Sequence, residues 1–72
     1  MTTVTQSLER AVQHHRAGEL EQSERLCQEI LRVDPGHADA LNLLGVSLHQ
    51  RRQSDAAVHF LSRAVAANNR AA

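Results

Sequence analysis

A repeat constrains this chain more than any other feature of its sequence. A shift of about 34 residues places Val12 on Val46 and His15 on His49. Other matched positions share small or apolar side chains without identity: Ala11 with Gly45, Ser23 with Ala57, Cys27 with Leu61, and Ile30 with Ala64. A period of this length is typical of arrays in which two helices and a turn repeat. The sequence therefore indicates two copies of a helical hairpin.

The spacing of apolar residues predicts four helices and no strand. Apolar side chains recur at steps of three and four, which is the spacing of one helix face, and β-branched residues never alternate with polar ones. Gly18 and the run Asp34-Pro35-Gly36 are expected to end helices, because glycine adopts left-handed geometry and proline excludes helical geometry from the residue before it. The predicted helices run from Val4 to about Ala17, from about Glu21 to Val33, from Ala38 to about Arg51, and from Gln53 or Ser54 into residues 68–72.

Gly45 stands inside the strongest of these helical patterns, between Leu44 and Val46. A glycine in a helix interior costs about 1 kcal/mol relative to alanine. Its presence predicts that a neighbouring helix packs closely against the third helix at this point.

At the positions that match between its two halves, the chain resembles the tetratricopeptide repeat (TPR) family, and the resemblance covers nearly the whole chain. The second unit carries the pattern as Leu41, Leu44-Gly45, Leu48, Ala57, Leu61 and Ala64, and the first as Ala11, Gly18, Ser23, Cys27, Ile30 and Asp34-Pro35. The resemblance implies one all-α domain over residues 1–72, built from two TPR-like antiparallel helical hairpins. These four helices would form a short right-handed α-solenoid, with repeat one at about 4–37 and repeat two at about 38–71.

The sequence also departs from the family pattern. Ser7, Arg10 and His14 replace large apolar residues in the first helix. Arg52 stands where the first unit has Gly18, so the last turn either strains a non-glycine residue or takes another shape.

Composition argues against several classes of partner. Lys plus Arg and Asp plus Glu number eight each, so no net field favours nucleic acid or an anionic membrane. Phe60 is the single aromatic residue, which argues against base stacking. No apolar run approaches the roughly 18 residues of a membrane span. A single cysteine and no signal-like N-terminus lead us to expect a cytoplasmic protein.

The residues also give little support to catalysis. No Ser/His/Asp order, phosphate loop or paired-carboxylate motif is present, so we expect a non-enzyme without a cofactor. His15 and His49 fall on neighbouring first helices and could bridge a metal ion, but they lack a third ligand, which favours a groove or surface role. Cys27 lies in mid-helix on the apolar stripe, with no charged neighbour expected there, which predicts a buried, inert thiol.

The TPR resemblance implies a non-catalytic module that binds a protein or peptide in a concave groove lined by the first helix of each repeat. The residues predicted to contact the partner are Leu8, Val12, His15, Asn42, Leu43, Val46 and His49. The alternative is that the apolar members of this set pack against one another between helices. Chaperone-binding members of the family hold a carboxylate with basic and amide side chains, whereas Leu8, Val12, Leu43 and Asp39 occupy the comparable places here, so no such clamp is expected.

Two repeats without a capping helix should leave one end of the solenoid open. We expect Leu48, Leu61 and Val65 to be partly exposed there, which predicts either a symmetric homodimer or a chain that is a segment of a longer array. Two further hypotheses remain. In one, the repeats position a protein substrate for a larger modular enzyme such as a glycosyltransferase. In the other, the chain is an assembly adaptor whose partner is itself.

Overall fold

Four helices follow one another along the chain, joined by short turns. The computed structural model describes residues 3–71. Its helices are α1 (Val4–Arg16), α2 (Leu20–Val33), α3 (Ala38–Gln50) and α4 (Ser54–Ala71). Each begins and ends within one residue of its predicted boundary. The all-α prediction, with four helices arranged as two hairpins, is confirmed.

Side chains and special backbone conformations fix the helix ends. Thr3 and Gln6 form a capping box at the start of α1, in which each side chain accepts a hydrogen bond of 3.1 Å from the other residue's backbone N–H. His37 caps α3, because its Nδ1 accepts the N–H of Ala40 at 3.1 Å. These contacts satisfy backbone donors that the first helical turn leaves without partners.

The two turns within hairpins use the same left-handed backbone with different residues. Gly18 has φ +81° in the α1–α2 turn, and Arg52 has φ +64° in the α3–α4 turn. Of the two outcomes predicted for Arg52, the structure shows the strained one: the turn keeps its shape and a residue with a Cβ adopts the glycine conformation.

Small and aliphatic side chains build the core between the two hairpins. The core is centred on α3, and its buried members from all four helices are Ala11, Cys27, Ile30, Ala40, Leu41, Leu44, Leu48, Ala57 and Ala64. Gly45 is buried as well. A Cβ at this position would lie 2.6 Å from Leu61 Cγ, so the absence of a side chain lets α4 approach α3 closely, as the sequence predicted.

Each helix packs mainly on its neighbours in sequence. Contacts within the two hairpins are joined by an extensive α2–α3 interface, and α1 touches α3 over a smaller area. Arg51, at the end of α3, crosses the α2–α3 interface: its Nη1 donates to Glu24 Oε1 at 2.7 Å, and its Nη2 lies 3.6 Å from Glu21 Oε1. The α2–α3 interface therefore holds the two repeats together.

Candidate protein-interaction surface

The seven residues predicted to contact a partner lie on α1 and α3, the first helices of the two repeats, and we call them the α1/α3 face. One hydrogen bond joins these helices: His15 Nδ1 lies 3.1 Å from Ser47 Oγ, and Ser47 is fully buried. His15 is half-buried and belongs to this contact between the repeats. Its ring therefore helps to hold the face in shape.

The residues of the α1/α3 face differ in exposure. Asn42 and His49 are exposed, whereas Val12 and Val46 are half-buried. Leu8 and Leu43 are half-buried too, but they pack against the core cluster. For these two leucines the structure supports the alternative reading, in which apolar side chains pack between helices. The other members, Val12, Asn42, Val46 and His49, lie outside the core cluster.

A surface pocket lies along the exposed side of α1. Its volume is about 310 Å³, and its lining residues are Leu8, Glu9, Val12, Gln13 and Arg16. Leu8 and Val12 are among the residues predicted to contact a partner. The lining combines the apolar Leu8 and Val12 with charged and amide side chains, which suits an apolar side chain flanked by polar groups.

At the open end of the second hairpin, one of three predictions is wrong. Leu48 was expected to be partly exposed, yet it is only 6% exposed and belongs to the core cluster. It continues the stripe of Leu41 and Leu44, and the neighbouring helices cover all three. Leu61 is half-buried against Gly45, and Val65 is 59% exposed, in agreement with the prediction.

The sequence reasoning missed Val58, which is 63% exposed on α4. It precedes Val65 by seven residues, or two helical turns, so both valines lie on the same side of α4. The seven-residue spacing of Val58 and Val65 was the signal that could have found it.

Arg63 anchors the other side of α4. Its Nη2 donates to the carbonyl oxygen of Pro35 at 3.1 Å, and its guanidinium lies 5.5 Å from the centre of the Phe60 ring. These contacts fix α4 against the turn between the two repeats.

Cys27 lies in the core with no exposed surface. Burial raises the pKa of its thiol to about 11; the neighbouring Ser23 hydroxyl opposes the rise, and the nearby Glu24 adds to it. The expectation of a buried thiol is confirmed, whereas the expectation of no charged neighbour is wrong. Such a thiol is almost entirely protonated near neutral pH and is a poor nucleophile.

Two further observations concern metal binding and membranes. Over residues 3–71, no three His, Cys, Asp or Glu side chains come together in a way that could hold a metal ion. No helix in that range combines the length and hydropathy of a transmembrane span.

Comparison with known proteins supplies the family. The family model described as tetratricopeptide repeat matches residues 7–72, which is most of the 72-residue chain. No solved structure matches the chain. The family match agrees with the paired helices, the close approach at Gly45 and the small residues in the core. The chain belongs to the tetratricopeptide repeat family.

Proposed function

We propose that this chain is a non-catalytic module that binds a protein or peptide segment through its α1/α3 face. TPR repeats generally mediate protein–protein interaction. The observation that carries the choice of face is the mixed surface on the two first helices. There, Val12 and Val46 supply accessible apolar area, and Asn42 and His49 present exposed polar groups.

The hydrogen bond between His15 and Ser47 supports the proposal, because it links α1 directly to α3. A surface whose two helices are already held in place loses less conformational freedom on binding than a flexible one. The α1 pocket, which Val12 helps to line, suits an apolar side chain of the ligand, and Glu9 and Arg16 in its lining favour polar flanking residues.

The test requires variants that leave the core alone. Leu8 and Leu43 are unsuitable, because their substitution would disturb packing as well as the surface. Val46→Glu changes the apolar part of the face, and the double variant Asn42→Ala/His49→Ala changes two exposed polar side chains. Val33→Glu on α2 is the matched control, since Val33 is 76% exposed and lies outside the face. Circular dichroism verifies that all variants remain folded.

Peptides selected on the intact chain from a displayed random library provide the ligand, and fluorescence anisotropy gives its Kd for each variant. We expect Val46→Glu to weaken binding by about 10-fold or more, which is the effect of losing one well-placed apolar contact. The double variant should weaken binding to a smaller extent, and Val33→Glu should leave it unchanged. Equal losses for Val46→Glu and Val33→Glu would place the binding site elsewhere and refute the proposal.

A further inference from the structure

An apolar stripe runs along the outer side of α4. Val58 and Val65 are its exposed members, Leu61 is half-buried between them, and the exposed Ser62 completes it. These four residues, which we call the α4 stripe, follow the spacing of a surface that packs against another helix.

In the first repeat, the corresponding side of the second helix, α2, is covered by its neighbours. One repeat earlier, the positions of Val58, Leu61 and Val65 are those of Glu24, Cys27 and Leu31. Glu24 is 7% exposed and bonded to Arg51 of α3, Cys27 is fully buried, and Leu31 packs against the core cluster. In repeat one this side of the helix is covered, and in repeat two the α4 stripe lies open.

The opposite end of the molecule, at α1, is polar where the α4 stripe is apolar. Ser7, Arg10 and His14 on α1 occupy the positions that the buried Leu41, Leu44 and Leu48 occupy on α3. Arg10 is exposed, and His14 Nδ1 lies 3.0 Å from Glu19 Oε1. Head-to-tail stacking of two chains would press Arg10 and His14 against the valines of the α4 stripe. Such stacking is disfavoured, because a charged group buried without a partner costs far more than an apolar contact gains.

We propose that a second copy of this chain covers the α4 stripe, with the two α4 helices packed antiparallel about a two-fold axis. The polar surface of α1 does not match the apolar α4 stripe. Pairing one α4 stripe with another is therefore the arrangement that buries apolar surface on both subunits. The stripe is symmetric about the midpoint between Leu61 and Ser62, so a two-fold axis there places Val58 opposite Val65 of the partner subunit.

The charges along α4 are compatible with this pairing. The same axis places Asp55 near Asn68 of the partner subunit, whereas Arg63 lies on the other side of α4 and Ala64 is buried in the core. No like charges meet across the helix pair over residues 54–68. The contact is one helix wide and about 24 Å long, since this axis overlaps the two helices over residues 54–69 at 1.5 Å per residue. It is smaller than a standard interface of about 800 Å² per partner, so the association should be weak and concentration-dependent.

Sedimentation equilibrium of the intact chain tests the association, between about 10 µM and 1 mM, where an interface below standard size assembles. The average mass should rise from the chain mass of 8.0 kDa toward twice that value. A constant monomer mass up to the highest concentration would overturn the proposal. A mass that grows beyond the dimer would do the same, because it would indicate head-to-tail assembly.

Charge-swap variants test the geometry. Val58→Glu and Val65→Lys should each shift the chain toward monomer, because each places a charge on the valine of the partner subunit. The double variant Val58→Glu/Val65→Lys should restore the dimer, since antiparallel packing then joins opposite charges twice. Val33→Glu, on a still more exposed valine of α2, should leave the dimer unchanged.

If none of the single variants weakens the dimer, the dimer uses another surface. If the double variant stays monomeric, the α4 helices of the wild-type dimer are not packed antiparallel. Either result refutes the antiparallel α4 pairing. The outcome is independent of the proposed function, because the α1/α3 face contains none of the substituted residues.

Discussion

Adding one methyl group at Gly45 sets helix propensity against helix packing. A Cβ built there lies 2.6 Å from Leu61 Cγ and 2.7 Å from Leu61 Cδ2, and it lies 3.3 Å from the backbone nitrogen of the same residue. Carbon atoms normally approach to about 3.5–4.0 Å. Rotation of the Leu61 side chain would relieve only part of the overlap, because the backbone nitrogen belongs to α4 itself. The helix must therefore move away from α3.

The two opposing effects have known sizes. Overpacking of a well-filled interface costs about 1–3 kcal/mol. Alanine recovers about 1 kcal/mol of helix propensity relative to glycine. We expect Gly45→Ala to lower the free energy of unfolding by about 1 kcal/mol, which corresponds to a Tm lower by roughly 4–8 °C in a domain of this size.

Thermal unfolding followed by circular dichroism at 222 nm measures the change, and Leu61→Ala provides the second background. Leu61→Ala removes Cγ and Cδ2, the two closest atoms, so Gly45→Ala should then raise Tm or leave it unchanged. The reversal of sign between the two backgrounds is the signature of the contact. A higher Tm for Gly45→Ala in the wild-type background, or the same loss in both, would show that the close approach is not what favours glycine.

Three other perturbations have expected outcomes. Arg52→Gly should stabilise the chain by about 0.5–1 kcal/mol in urea denaturation, because φ +64° strains a residue with a Cβ, whereas Gly18→Ala at the equivalent turn should destabilise it. Arg51→Met should cost about 3 kcal/mol by leaving the buried Glu24 carboxylate unpaired, and Glu24→Met/Arg51→Met should recover much of that loss. The pKa of Cys27 is raised on folding from 9.0 to about 11, so its contribution to stability should be complete below pH 9 and fall as the pH rises from 9 toward 11. Cys27→Ala should remove that slope from Tm measured against pH, and a slope that persists would assign it to another group.

Local sequence patterns were sufficient for the helices and for the contact at Gly45. The periodicity of apolar residues, Gly18 and the Asp34-Pro35-Gly36 run all act within a few residues of the boundaries that they predict. The helix pairing followed from the repeat, because equivalent positions in two copies must fulfil the same packing role.

Contacts between distant parts of the chain were harder to predict. Glu24 is charged and therefore looks like a solvent-facing residue, but Arg51, 27 positions away, allows its burial. Leu48 and Val58 were misjudged for a related reason, since their exposure depends on how α2 and α4 cross α3. On the α1/α3 face, only the structure separates the leucines that pack against the core cluster from the residues exposed at the surface.

The hydrogen bond between His15 and Ser47 has a consequence for the curvature of a solenoid. Among residues 3–68 it is the one side-chain hydrogen bond that joins α1 to α3. The rotation between successive repeats determines how strongly a helical solenoid bends. Because this bond fastens α1 to α3, it limits how far the two hairpins can splay apart.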